Sequence, residues 1–271
     1  MPLRHKARKR FGQNFLHDQN VLDRIVASAE LQETDRVLEI GPGPGALTSR
    51  LLATGLPVLA VEIDRDLAKA LEERNDLNLE VKTGDVLRFN WSELLTQPPY
   101  KLIANLPYNI SSQILFKVLE HRNAFSCLVL MFQKEVGERL VATEGSRNYG
   151  ILSVLMQTWF HLERVIKVPP GAFFPPPKVD SVVLRMVPLS KPRVDVHDEA
   201  LYRKLVKSAF AQRRKTVRNS LLGSGWQAEQ IDQAFEVTEI DPGRRGETFT
   251  IEEFGAMANL LYSINGEDGL N

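Results

Sequence analysis

The chain has 271 residues, and its 34 basic and 34 acidic side chains give a formal net charge of zero at pH 7. That length allows one large and one smaller domain around a substantial core, and the composition is that of an ordinary soluble protein. No apolar run is long enough to cross a bilayer, and no apolar segment follows the basic N-terminus as it would in a secretory signal. A single cysteine, Cys127, cannot form an internal disulfide; it lies in an apolar run, so core packing and a reducing, cytoplasmic compartment are expected.

In chain order, Arg36–Ile40 is a short apolar run ending in glycines and reads as a buried strand. A helix follows over Ala46–Ala53, then a strand over Pro57–Ile63 and a helix over Asp64–Arg74 with Asp64 placed to cap it. Further strands are expected at Leu77–Thr83, Lys101–Ala104 and Cys127–Gln133, with helices at Ser111–Glu120 and Lys134–Ala142. This alternation predicts an α/β fold, a Rossmann-like sheet with helices on both faces. His161–Val168 and Ser181–Val187 read as two closing strands, and the Pro-rich stretch between them as a stiff connection. Around Pro188–Asp198 the composition shifts to Pro, Lys and Asp, which suggests a boundary between residues 1–189 and 190–271. Beyond it Leu201, Leu205 and Ala209 recur at helical spacing, so a small all-helical C-terminal domain is expected, with Gly266–Gly269 disordered.

The zero net charge hides uneven placement. Arg4, Lys6, Arg8, Lys9 and Arg10 crowd the N-terminus, and Arg203, Lys204, Lys207, Arg213, Arg214, Lys215 and Arg218 form a second run without an acid. Such clusters suit phosphate binding; a solvated helix face and an unstructured tail would explain them as well.

Three features fall at the ends of successive strands. Gly41, Gly43 and Gly45 alternate strictly after the first, where glycines permit positive φ and close approach of a ligand. Glu62 ends the second, placed to accept both ribose hydroxyls of an adenosine cofactor. Asp85 follows the third and could accept from the cofactor's adenine amine. Each alone could be a turn or cap residue; together they favour a nucleoside site.

Asn105-Leu106-Pro107-Tyr108 follows the fourth strand. An adenine amine is a poor nucleophile because its lone pair is delocalised into the ring. The Asn105 side-chain oxygen and the Leu106 carbonyl could accept its two protons and aim the lone pair at a sulfonium methyl. Such chemistry depends on positioning and hydrogen bonding, not on a strong base or a metal. Tyr108 offers a stacking face for a base taken out of its stack, and Phe173-Phe174 in the Pro-rich loop either a second aromatic wall or a hydrophobic plug.

Arg10–Leu16, Glu39–Gly43, Asn105–Ile110, Met131–Val136, Phe173–Ser181 and Phe210–Thr216 together resemble the small-subunit ribosomal RNA adenine dimethyltransferases, in order along nearly the whole chain. The resemblance implies a class I methyltransferase domain with a helical C-terminal domain. It implies N6,N6-dimethylation of two adjacent adenines near the 3′ end of 16S rRNA, within the immature small ribosomal subunit. S-adenosylmethionine would be the cofactor and S-adenosylhomocysteine the product, with no metal and no membrane partner, in a monomer. It places Asn14, Leu16, Gly41, Glu62, Asp85 and Asn105 around the cofactor, and Asn105, Leu106, Tyr108 and Phe173 around the adenine. The basic helix carrying Arg213, Arg214, Lys215 and Arg218 would touch rRNA. Leu106, where DNA adenine methylases carry Pro, tilts the choice toward RNA. The competing readings are a large-subunit rRNA adenine methylase, a non-catalytic ribosome-assembly factor and a dinucleotide oxidoreductase.

Overall fold

The computed structural model describes residues 14–268. The basic residues Arg4 to Arg10 and the start of the Arg10–Leu16 motif lie outside the described residues. The chain opens with strand β1 (Phe15–Leu16) and helix α1 (Gln19–Ser28), capped by Asp18, whose carboxylate accepts from the Asn20 and Val21 amides. β2 (Val37–Ile40), α2 (Ala46–Leu52), β3 (Val58–Glu62), α3 (Arg65–Glu72) and β4 (Leu79–Thr83) follow, with Asp64 capping α3 as its position suggests. Next come α4 (Trp91–Leu94), β5 (Tyr100–Asn105), α5 (Ser111–Glu120), β6 (Phe125–Gln133), α6 (Lys134–Leu140) and α7 (Ile151–Trp159). β7 (Phe160–Val168), β8 (Phe173–Phe174) and β9 (Ser181–Pro188) complete the strands. The remaining helices are α8 (Glu199–Ala209), α9 (Val217–Leu222), α10 (Ala228–Thr238) and α11 (Ile251–Asp268).

The seven-stranded sheet has the order β4-β3-β2-β5-β6-β9-β7. β2, β3, β4, β5 and β6 pair in parallel, and β9 runs antiparallel to β6. β2 and β3 are buried at every position, as strands covered on both faces must be. β4, on the edge, alternates exposed Glu80 and Lys82 with half-buried residues. Cys127 is buried in β6, as its neighbours suggest.

The register explains where the sheet opens. β2 stays paired to β3 through Ile40 and Val61, but its pairs with β5 end at Leu38 and Leu102. Past that point β2 and β5 part at their carboxyl ends, where the strand order reverses. A crevice at such a switch point is where doubly wound sheets bind ligands.

The chain separates into two compact units, Met1–Gly137 with His161–Pro188, and Glu138–Phe160 with Leu189–Asn271. A single cut near residue 189 therefore leaves out Glu138–Phe160, which clusters with the C-terminal helices. α7 belongs there: the Thr158 hydroxyl is 2.9 Å from the Tyr202 hydroxyl on α8. Tyr149, Phe210, Phe249 and Phe254 form a chain of aromatic contacts in the same unit. Among the described residues of this unit, only Phe160, the first residue of β7, lies in a strand. Gly266–Asp268, expected to be disordered, continue α11 as helix.

Candidate functional site

The crevice past β2 and β5 is a cleft partly open to solvent, at the place where doubly wound sheets bind small ligands. Three strand ends supply its walls. From β2 come Glu39, Gly41 and Gly43, from β3 Glu62 and Ile63, and from β5 Asn105 to Tyr108. Asn14, Phe15 and Leu16 close it from the β1 side.

The glycine loop is explained by its backbone. Gly41, Gly43 and Gly45 all have positive φ, of 68°, 59° and 88°. At Gly45 a Cβ would also stand 2.7 Å from the Leu71 Cδ2, and at Gly43 3.2 Å from the Phe15 ring. The strict alternation is thus a steric requirement of the turn and its neighbours.

Glu62 fixes this loop. Its Oε2 accepts from the Gly43 amide at 3.0 Å and its Oε1 from the Asp64 amide at 2.9 Å. Burial raises its pKa, against the pull of these backbone donors. Each oxygen keeps a lone pair for a further donor, so the carboxylate can hold the loop and a diol together.

Glu39 is a site residue that sequence reasoning missed. It is 1% exposed, and its Oε2 has no hydrogen-bond partner among the described residues. The Thr48 hydroxyl acts on it electrostatically, but neither atom meets hydrogen-bond geometry with the other. Burial, with a smaller push from Glu62, raises its pKa to about 8. The available signal was a lone carboxylate inside a buried apolar strand, which native proteins rarely keep without use.

The pKa of Glu39 has a consequence for stability. In the folded, ligand-free protein it stays protonated at neutral pH, whereas unfolded it ionises near pH ~4.3. Its contribution is therefore full below about pH 4 and is lost as pH rises toward 8. Urea unfolding at pH 5 to 8 should show ligand-free stability falling, and Glu39→Gln should flatten that fall by an amount on the order of a few kcal/mol at pH 8. An equal slope in the variant would show that Glu39 ionises normally.

Asn105 ends β5, and its amide nitrogen donates to the Asn14 carbonyl at 3.2 Å. That bond leaves its side-chain oxygen as the acceptor. Leu106 lines the cleft and is buried, at 1% exposure. The Tyr108 hydroxyl lies 2.9 Å from that of Ser181, a fully buried residue at the start of β9. This bond holds the ring, and burial raises the phenol's pKa. Ser181 is a positioning residue that sequence reasoning quoted but did not assign.

The cleft thus gathers Asn14, Leu16, Gly41, Glu62, Asn105, Leu106 and Tyr108. It does not gather Asp85 or Phe173. Asp85 lies one strand further out, past β4, and its Oδ1 accepts from the Leu87 amide within its own turn. Phe173 is 2% exposed and packs in the core cluster with Leu16 and Ile25, because β8 pairs with β1 and turns that side chain inward.

The match of the whole chain to known proteins decides the family. Residues 4–262 match the family model described as ribosomal RNA adenine dimethylase. The chain belongs to that family. A dinucleotide oxidoreductase is thereby set aside. Among relatives of this dimethylase, a protein of Syntrophotalea carbinolica named ribosomal RNA small subunit methyltransferase A is 59% identical over 96% of this chain and 98% of its own. A protein of the same name from Geobacter metallireducens is 47% identical over 97% and 98%. In structure, the dimethylase resembles a dimethyladenosine transferase of Plasmodium falciparum, with a TM-score of 0.75 and 28% identity over 94% of this chain and 98% of that one. It also resembles the 23S rRNA methyltransferase ErmE, with a TM-score of 0.68 and 28% identity over 92% and 100%. The α/β methyltransferase fold with a helical C-terminal region follows from these likenesses.

In the second unit, the expected basic helix is a turn: Arg213 to Lys215 lie between α8 and α9. Arg213 donates to the carbonyls of Arg147 and Tyr149, while Arg214 and Lys215 are exposed. Arg218 is engaged by Asp232 in a two-pronged ion pair of 2.6 and 2.7 Å. Among the described residues no helix is long and apolar enough to cross a membrane, and no group of three or more potential metal ligands assembles.

Proposed function

We propose that this dimethylase transfers methyl groups from S-adenosylmethionine to N6 of two adjacent adenines near the 3′ end of 16S rRNA in the assembling small subunit. The observation that carries the reading is one cleft holding both Glu62 and the Asn105–Tyr108 segment, so that nucleoside and base acceptors share a space. The residues suit the cofactor. Buried Glu62 favours a ligand that brings hydroxyls, Glu39 would ionise against a ligand's positive charge, and the side-chain-free loop admits such a ligand closely.

S-adenosylmethionine supplies an activated methyl on a sulfonium and leaves as S-adenosylhomocysteine. Glu62 would accept the ribose hydroxyls, and Asp85, past the neighbouring strand, an adenine amine. The Asn105 oxygen and the Leu106 carbonyl accept the two protons of the target amine, and Tyr108 supports its ring. The nitrogen attacks as its lone pair is localised, and the displaced proton leaves to water. Positioning and polarisation are what the protein contributes.

The second unit would bind rRNA through Arg213, Arg214 and Lys215, with Arg218 acting through its ion pair to set α9. The Arg214→Glu, Lys215→Glu double variant should bind small-subunit RNA more weakly and lower its salt slope by roughly 2. An unchanged slope in filter binding would return both residues to a solvated surface. We take the enzyme to be a cytoplasmic monomer.

The likeness to ErmE keeps a large-subunit RNA in view. Purified immature small subunits and large-subunit RNA, each offered with labelled S-adenosylmethionine, separate the two. Label only in large-subunit RNA refutes the proposal, and label in neither favours a non-catalytic assembly factor.

A further inference from the structure

The β1–β8 ribbon sorts its side chains by face. Residues directly opposite in an antiparallel pair share one face, and the next pair shares the other. Leu16 pairs with Phe173, and both are buried in the core. Phe15 pairs with Phe174. Phe15 forms part of the cleft wall and lies against Gly43. Phe174 therefore stands on the cleft side of the ribbon, yet it is 72% exposed.

Exposure of one apolar side chain is ordinary in itself; Phe174 differs in standing on the face of the ribbon that Phe15 turns to the cleft, where a flat ring can serve as a stacking platform. The ribbon register fixes its backbone, and its side chain has only two rotatable bonds, so little freedom is lost when it is covered. We propose that Phe174 stacks on the nucleobase adjoining the target adenine. This inference rests on the RNA-adenine reading above. Taking a base out of its stack bares one face of its neighbour. A flat ring outside the pocket covers that face whatever the base identity. The target itself goes deeper, to Asn105, the Leu106 carbonyl and Tyr108. Phe173 would have to leave the core to do the same.

The test compares wild type with Phe174→Ala, Phe174→Trp and Phe174→Leu on small-subunit substrate. Phe174→Ala is expected to raise the KM for RNA by about tenfold, which corresponds to about 1.4 kcal/mol. Its kcat, its affinity for S-adenosylmethionine by calorimetry and its melting temperature should stay as in wild type. Phe174→Trp should restore the KM and Phe174→Leu should not. With 2-aminopurine next to the target position, fluorescence should be quenched on binding wild type and remain bright with Phe174→Ala. An unchanged KM in Phe174→Ala, or full rescue by Leu, overturns the stacking role while wild-type methylation leaves the underlying reading intact. Failure of wild type to methylate small-subunit RNA at all overturns both.

Discussion

Asn105→Ala is expected to lower the methyl-transfer rate by about 100- to 1,000-fold, the loss typical of removing one oriented polar group at a reacting centre. The residue is held at the end of β5 by a bond from its amide nitrogen to the Asn14 carbonyl. Its oxygen is thereby committed as an acceptor before substrate arrives. Alanine removes that acceptor and also the tether, so the amine would keep its lone pair in the ring. Cofactor affinity should fall much less, because Glu39, Glu62 and the glycine loop remain. Single-turnover rates at saturating RNA and cofactor measure this directly, and a variant with a normal rate would refute the role.

Glu62→Ala should act in the opposite way, weakening S-adenosylmethionine binding by about a hundredfold or more. Each hydrogen bond to a charged acceptor is worth about 1.5–3 kcal/mol, and two ribose hydroxyls would lose theirs. The same change releases the Gly43 and Asp64 amides, which the carboxylate now holds. The loop that must stay in a left-handed conformation then loses its anchor. Titration calorimetry should report the loss, while turnover at saturating cofactor stays closer to wild type. Unchanged cofactor affinity would remove Glu62 from the site.

Much of the sheet and its flanking helices was legible from sequence because apolar runs alternated with capped, periodic segments. Val37–Ile40 and Ser111–Glu120 are examples in which local signal and packing agree. α7 was missed for a physical reason: Ile151–Trp159 is apolar almost throughout and largely buried, so it shows no stripe to mark a helix. The β1–β8 ribbon was missed because two-residue strands have no period, and the partners lie far apart in sequence. The site was legible where one strand end carried one function, as at Glu62 and Asn105. Spacing alone could not show which of Phe173 and Phe174 faces outward. Nor could it show that one Asp85 oxygen accepts from the Leu87 amide within its own turn, or that Arg218 is engaged by Asp232. Those depend on pairing register and on residues distant in the chain. Glu39 was hidden inside the motif that names the loop, although its charge was the anomaly in that strand.

The most direct test of the central claim is mass spectrometry of adenines in 16S rRNA from cells with and without this protein. The account predicts N6,N6-dimethyladenosine at two adjacent positions near the 3′ end in the first, and unmodified adenines there in the second, restored by wild type and not by Asn105→Ala. Dimethylation that persists without the protein would contradict it.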